Sequence, residues 1–360
     1  MTETMTWVGL DVHARSISAA ALTLPGGELH RSRFAADSEA LLAWLGRLPH
    51  PLHACYEAGP SGFVLYRTLE AAGIPAEVVA PTKTPRASGD RVKSDRKDAE
   101  LLARLLPTGS LRPIVVPSRE REGARDLARA REQLRVDLCR ARQRVSKLLL
   151  RYGRVYPGKT TWTQTHRRWL AGQSFENAST ELAYLDYLAA VDGLVARRQA
   201  LDERLSRLAL EPDWWPTVAR LRCFRGIDTL SALVLALEIG DFGRFRSPRQ
   251  LASWLGLVPS LKQSGESSSQ GPITKTGSRY ARRLLVEAAW QYGRRPRVGA
   301  TLAARHEGQP AQVLQIAWRC QHRLYRLHRL LGERRKPANV VTVALARSLA
   351  CFLWAAAMAP

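Results

Sequence analysis

Between Ser118 and Tyr152 the apolar residues Leu127, Leu134, Leu138, Ala141, Val145 and Leu148 fall at alternating four- and three-residue steps, broken only at Arg131. No β-strand can use that period; a long amphipathic helix can. Leu194, Leu201, Leu205 and Leu208 repeat the spacing with one slip at Arg198. Two such helices, separated by a loop around residues 157–173, predict a helical hairpin or coiled coil over residues 118–211. Leu134, Leu138, Val145 and Leu201 are then the expected seam between two chains. The alternative is an ordinary amphipathic pair packed on its own domain.

Ahead of that segment the period is different. Residues 7–12, 16–24 and 28–34 read as three strands, the second ended by the Pro25-Gly26-Gly27 turn. Residues 38–48 follow as a helix, 53–58 as a strand, 63–72 as a helix and 74–80 as another strand. Strands alternating with helices over short turns predict an α/β domain in residues 1–117, its mixed sheet beginning in a meander. From residue 212 to 360 the reading is mainly helical, interrupted by a polar, serine-rich loop over residues 260–271.

The 360-residue chain carries 55 Lys and Arg against 32 Asp and Glu, a net charge of +23. A field of that sign attracts polyanions and points to nucleic acid, without naming a reaction. The five cysteines show no ligand spacing, which argues against a zinc site and fits a reducing, cytoplasmic setting, close to the nucleoid for a DNA-binding protein. No signal peptide is read at the start. The apolar stretch 340–360 is cut by Arg347, leaving about 13 residues, too few for a membrane span. A buried terminal helix and no membrane association are expected.

Four carboxylates carry the first chemical signal. Asp11 ends the first strand after Val8-Gly9-Leu10, and Glu57 ends another at Tyr56-Glu57-Ala58-Gly59. Asp95 and Asp98 open a helix in Lys93-Ser-Asp95-Arg-Lys-Asp98-Ala, and their i, i+3 spacing puts both on one face. Strand-end and helix-start carboxylates converging at a sheet edge suit a hard divalent cation in phosphodiester chemistry. Each has a simpler reading: Asp95 as a helix cap, Asp98 as a dipole partner, Glu57 as a strand-end charge. Asp11 resists that treatment, since a lone carboxylate in a buried strand is costly. His13 beside it reads as a polar strand-end residue rather than a ligand.

The second signal is Ser264, followed by Gly265 in a polar setting. Lys262, Lys275, Arg279, Arg282 and Arg283 lie around it in sequence and suit nucleic-acid phosphates and the charge developing on a reacting one. No histidine is near to activate the hydroxyl, so help must come from elsewhere in the fold. The helix around residues 319–329, with Arg319, His322, Arg323, Arg326 and Arg329, reads as a further phosphate-contacting face.

Gly-Leu-Asp11, Tyr-Glu57-Ala-Gly-Pro and Lys-Ser-Asp95-Arg-Lys-Asp98-Ala closely resemble the DEDD motif of the IS110 family of insertion-sequence transposases. Gly226-Ile-Asp-Thr-Leu-Ser-Ala232, Glu238-Ile-Gly-Asp241, Arg244-Phe245, Gly256-Leu-Val-Pro259, Ser264-Gly265 and Ile273-Thr-Lys-Thr-Gly277 are similar to the C-terminal motifs of the same family. The resemblance implies a RuvC-like, ribonuclease-H-type N-terminal domain in which Asp11, Glu57, Asp95 and Asp98 bind Mg²⁺, with Mn²⁺ as a substitute. It implies Ser264 as the nucleophile joined covalently to double-stranded DNA. It also implies a structured noncoding bridge RNA that selects the DNA by pairing. One serine per chain suggests a homodimer that assembles to a tetramer. One position departs: Asp228 stands where the family's turn has a glycine, which speaks against phosphate binding by that turn. The rival readings are a metal-dependent junction resolvase or nuclease using water, and a noncatalytic DNA-binding regulator.

Overall fold

In the N-terminal α/β sheet the strand order is β3-β2-β1-β4-β5, from Met5–Val12 (β1), Ser16–Leu24 (β2), Glu28–Ala35 (β3), Leu52–Glu57 (β4) and Ala76–Val79 (β5). β1, β2 and β3 form an antiparallel meander, and β4 and β5 continue parallel to β1. The computed structural model describes residues 4–85, 94–265 and 267–360, with Lys262 described by its backbone alone. Helices Ser38–Leu45 (α1) and Val64–Ala71 (α2) bury Leu41, Leu45, Leu65 and Leu69 in one core with Val8, Leu10, Ala54 and Tyr56 of the sheet. Asp95–Leu105 (α3) packs against Ala20 and Leu22 of β2 through Ala99 and Ala103. Alanines here let the helix lie close to the strands.

The chain divides into two units, residues 1–118 and 119–360. The long helices Arg119–Arg151 (α4) and Ala178–Leu208 (α6) belong to the second unit, with Gln164–Ala171 (α5) between them. Leu138, Ala141, Val145 and Leu148 of α4 share a core with Leu170 of α5 and Tyr184 and Val191 of α6. Leu134, Leu138 and Val145 are 6%, 2% and 0% exposed within the single chain. This corrects the seam expectation. Leu134, Leu138 and Val145 are consumed by packing within the chain and cannot also meet a second one, whereas Leu201, the fourth residue of the expected seam, is only partly buried. Periodicity sets which face is apolar but not whose helix covers it. The loop aromatics Trp162, His166 and Trp169 likewise form a local cluster with Tyr156.

The base of this helix pair is embedded in the main core. Ala124 and Ala128 of α4 and Leu205 of α6 join Trp215–Leu221 (α7), Thr229–Ile239 (α8), Pro248–Trp254 (α9), Arg279–Ala289 (α10), Ala311–Glu333 (α12) and Ala338–Ala357 (α13). Glu238, 6% exposed on α8, is held by Arg129 of α4 at 3.0 Å. Arg125 donates to the Leu237 and Glu238 carbonyls at 2.7 and 3.3 Å, meeting the negative end of α8 with a cation. The Glu-Ile-Gly-Asp motif is thus partly a clamp between helices. α13 has the length and composition to cross a membrane, yet Val341, Leu345, Leu349 and Leu353 are at most 4% exposed in this core.

Where a serine-rich loop was expected, an antiparallel hairpin stands, Pro259–Ser264 (β6) with Ser267–Ile273 (β7). It has no alternating apolar face, because neither of its faces is buried; backbone pairing alone makes it a strand pair. Ala300–His306 (α11) lies between α10 and α12.

Candidate active site

Gly9 determines how the acidic residues meet. A Cβ at this position would lie 2.1 Å from the Ala99 carbonyl oxygen and 2.4 Å from the Ala103 nitrogen, so α3 crosses β1 at backbone contact. From Ala99 back to Asp95 the helix rises about 6 Å. From Gly9 forward to Asp11 the strand advances about 6.6 Å. The spans match, and the start of α3 reaches the end of β1 on the same face. Ser94 caps the helix by accepting from the Lys97 amide, which removes the capping role considered for Asp95 and leaves both aspartates in the first turn.

At the junction Asp11, His13 and Asp95 bring ligating atoms within 4.8 Å of one another, the one such group among the described residues. His13 Nε2 lies 3.1 Å from Asp11 Oδ2 and 3.5 Å from Asp95 Oδ1. Burial pushes the Asp11 carboxyl above its ordinary range; His13 pulls it back, and the nearby negative charges of Asp95 and Asp98 push the same way as burial. Like charges crowded on a side chain only 21% exposed call for a cation, and oxygen donors suit a hard one. The residues therefore fit a divalent ion.

Glu57 joins from the neighbouring strand. The last register pair between β1 and β4 is Leu10 with Tyr56, so Asp11 and Glu57 come next on adjacent parallel strands. Cys55, two residues earlier, faces α3, its sulfur 3.9 Å from the Leu102 carbonyl, which puts Glu57 on that face too. Glu57 Oε1 accepts from Thr84 Oγ1 at 2.8 Å, and Glu57 stands outside the closest group of three. The sequence puts His13 beside Asp11 and ranks a polar strand-end role above a ligand role; the structure places it just past the end of β1, within reach of both aspartates. Beside Asp95 a cavity of about 600 Å³ is lined by Arg31, Arg33 and Arg96, with Ser18 and Ser94. Lys93, named in the acidic motif, lies outside the described residues.

Ser264 has a different setting. It is exposed at the tip of the β6–β7 hairpin, Oγ 3.1 Å from Ser267 Oγ, while Ser267 Oγ donates to the Ser264 carbonyl at 3.1 Å. With the Ser267 proton used in that way, its oxygen is left to accept from Ser264. The hairpin is fixed only at its base. Gly256 and Gly277 both have φ of +67°, and a Cβ would lie 2.3 Å from the Thr276 nitrogen or 2.2 Å from the Trp254 oxygen. The Gly-Leu-Val-Pro and Thr-Lys-Thr-Gly motifs are thus two backbones in direct contact, which only glycine permits.

The five basic positions separate. Arg282 donates to the Leu255, Thr276 and Gly277 carbonyls and ties down the hairpin base. Arg283 pairs with Glu132 at 2.7 Å and with Glu287. Lys275 and Arg279 are exposed, and the Lys262 side chain lies outside the described residues. Asp228 is the N-cap of α8, accepting from the Ser231 amide at 2.7 Å, which explains the departure from glycine: the carboxylate serves the helix start.

Residues 8–153 match the model of a DEDD transposase domain, and residues 218–303 match that of the Transposase IS116/IS110/IS902 family. The transposase for insertion sequence element IS1533 of Leptospira borgpetersenii is 34% identical over 92% of this chain and 97% of its own length. A Sinorhizobium fredii protein named "Putative transposase y4qE" is 42% identical over 85% of this chain and 75% of its own.

Proposed function

Because the chain belongs to the IS116/IS110/IS902 family of transposases, we propose that it moves its element by breaking and rejoining DNA through a covalent bond to Ser264. Asp11, Glu57, Asp95 and Asp98 hold Mg²⁺ or Mn²⁺. The ion, when bound, supplies Lewis-acid stabilisation of charge on the reacting phosphate oxygens. The observation that carries this reading is the crossing of α3 over Gly9, which crowds Asp11 and Asp95 into a cation-demanding group.

Ser264 Oγ attacks the scissile phosphorus. The phosphorus–Oγ bond forms as the bond to the leaving deoxyribose oxygen breaks; the serine proton passes to water, and the leaving oxygen takes a proton from water. A hydroxyl from the exchanged strand reverses these events and frees the serine. One phosphate ester replaces another at each step, so no external energy source is needed. Lys275 and Arg279 contribute charge on the DNA side. Recombining two duplexes takes four serines and hence four chains, assembled from dimers through surfaces other than the buried α4 positions. A structured noncoding RNA of the element, attracted by the same net charge of +23, selects the DNA by pairing.

Incubating the protein with element DNA, its RNA and Mg²⁺ should give a protein–DNA adduct that survives denaturation. Ser264→Ala should bind DNA and form none. Cleavage without any adduct would leave the carboxylates acting with water, as in a nuclease.

A further inference from the structure

The second unit contains a basic pocket away from the hairpin motifs. It measures about 470 Å³ and is lined by Arg225, Arg294, Arg295, Arg297, Arg305 and Gln291, with no carboxylate among its described lining residues. Its wall is braced from behind. The Arg225 guanidinium donates to the carbonyls of Arg294, Arg295 and Arg297, at 2.8–3.2 Å. The Arg297 amide donates to Gln321 of α12 at 3.1 Å, and Arg305 donates to the Ile227 carbonyl at 3.0 Å. The backbone of residues 294–297 is thereby held in place while the side chains of Arg294, Arg295 and Arg297 stay exposed. Burial lowers the proton affinity of Arg225, and the charges of Arg297 and Arg294 lower it further. Five arginines line the pocket, and none of them has a carboxylate partner among the described residues. Asp228, the nearest acid in the preceding turn, spends its carboxylate on the α8 cap.

We propose that this pocket seats a backbone phosphate of duplex DNA, gripped by Arg294, Arg295 and Arg297 and read without regard to base. Planar guanidinium forks on a fixed loop suit bidentate contact with phosphate oxygens, and DNA is the polyanion on which a transposase acts. The proposal is independent of the nucleophile assignment, because the test reads binding in Ser264→Ala protein without divalent metal, where neither the serine nor a metal-activated water cuts.

In that background, affinity for short duplex DNA is measured across a salt series, with Arg294→Gln/Arg295→Gln/Arg297→Gln and the matching triple Lys variant. The Gln triple should bind about tenfold more weakly at low salt, and its slope of log affinity against log salt should flatten by about one, the yield of one phosphate contact. The Lys triple should keep the slope yet lose about threefold, since point charges replace forks. Should the Gln triple melt early, Arg295→Gln alone is read, with a loss of about threefold expected. Unchanged affinity and slope in the Gln variants overturn the pocket. A Lys triple equal to wild type overturns it too, by showing diffuse attraction. A loss confined to structured RNA, with duplex binding intact, overturns the assignment to DNA.

Discussion

The carboxylate group and the serine hairpin solve opposite problems. Asp11 and Asp95 are brought together by close packing: Gly9, Ala20, Ala99 and Ala103 strip away side-chain volume so that α3 lies against the strands. Ser264 sits on a hairpin whose described side chains from Gln263 to Pro272 are all exposed, anchored at its base where Gly256 and Gly277 touch backbone and Arg282 binds three carbonyls. Negative charges must be held together against their repulsion, so their frame has to be stiff. A nucleophile that must reach a substrate phosphate gains from projecting into solvent. On the function proposed above, rigidity is concentrated where charge is crowded, and reach where the covalent bond would form.

The comparison can be broken most sharply at the proposed ligands. Asp11→Asn, Glu57→Gln, Asp95→Asn and Asp98→Asn each remove a charge and almost no volume. Recombination should fall by at least about a hundredfold in each, more than changes behind a metal's ligands cost, with the melting temperature nearly kept. Wild-type turnover in all four, or full activity in a chelator, would break the metal reading.

The glycines come next. Gly9→Ala forces a carbon against the backbone of α3 and should cost about 3 kcal/mol, with Mn²⁺ binding lost. Gly256→Ala adds a left-handed penalty of about 1–2 kcal/mol to its clash and should abolish adduct formation while leaving Mn²⁺ binding intact. Calorimetry and metal titration of both variants test the division of labour. If Gly256→Ala lost metal binding as well, the two regions would not be separable.

What the sequence made legible follows the same division. The alternation over residues 1–117 foretold the α/β sheet and its meander, and Asp11 was suspect because a carboxylate does not belong in a buried strand. His13 ranked second as a ligand because exposure and a strand end are common for histidine; only the crossing of α3 over Gly9 brings Asp95 to it. The heptad residues of α4 were visible, but an apolar stripe is equally satisfied by α6 of the same chain and by a second copy. The hairpin was hidden for a different reason. Ser260, Gln263 and Ser267–Ser269 carry no burial pattern, and strand signals are largely burial signals. Arg282 read as a phosphate contact because carbonyl-binding arginines leave no sequence mark.

A smaller effect sharpens the serine side. Ser267 accepts from Ser264 in the present geometry, and a neutral hydrogen bond is worth about 1 kcal/mol. Ser267→Ala should therefore slow adduct formation by about fivefold at saturating DNA, while Ser268→Ala leaves the rate unchanged. Equal rates in the two variants would remove the orienting role and leave Ser264 aligned by the substrate alone.

The smallest effect concerns charge crowding itself. Without metal, burial and the charges of Asp95 and Asp98 raise the Asp11 pKa in the folded chain. A carboxyl that holds its proton more tightly when folded contributes stability that is fully present below its unfolded pKa and is lost as the pH rises through the folded value. Above that window the ionised Asp11 weakens the fold. Metal-free Asp11→Asn protein should then melt slightly above wild type at neutral pH, and the two curves should converge in acid, below the ordinary carboxylate range. Adding Mn²⁺ should raise the melting temperature of wild type and close or invert the gap, because an ion that binds only the folded state stabilises it by mass action. The variant should respond little. If metal-free Asp11→Asn melts below wild type at every pH, Asp11 is a satisfied structural carboxylate, and the tight packing around Gly9 serves the fold rather than a cation.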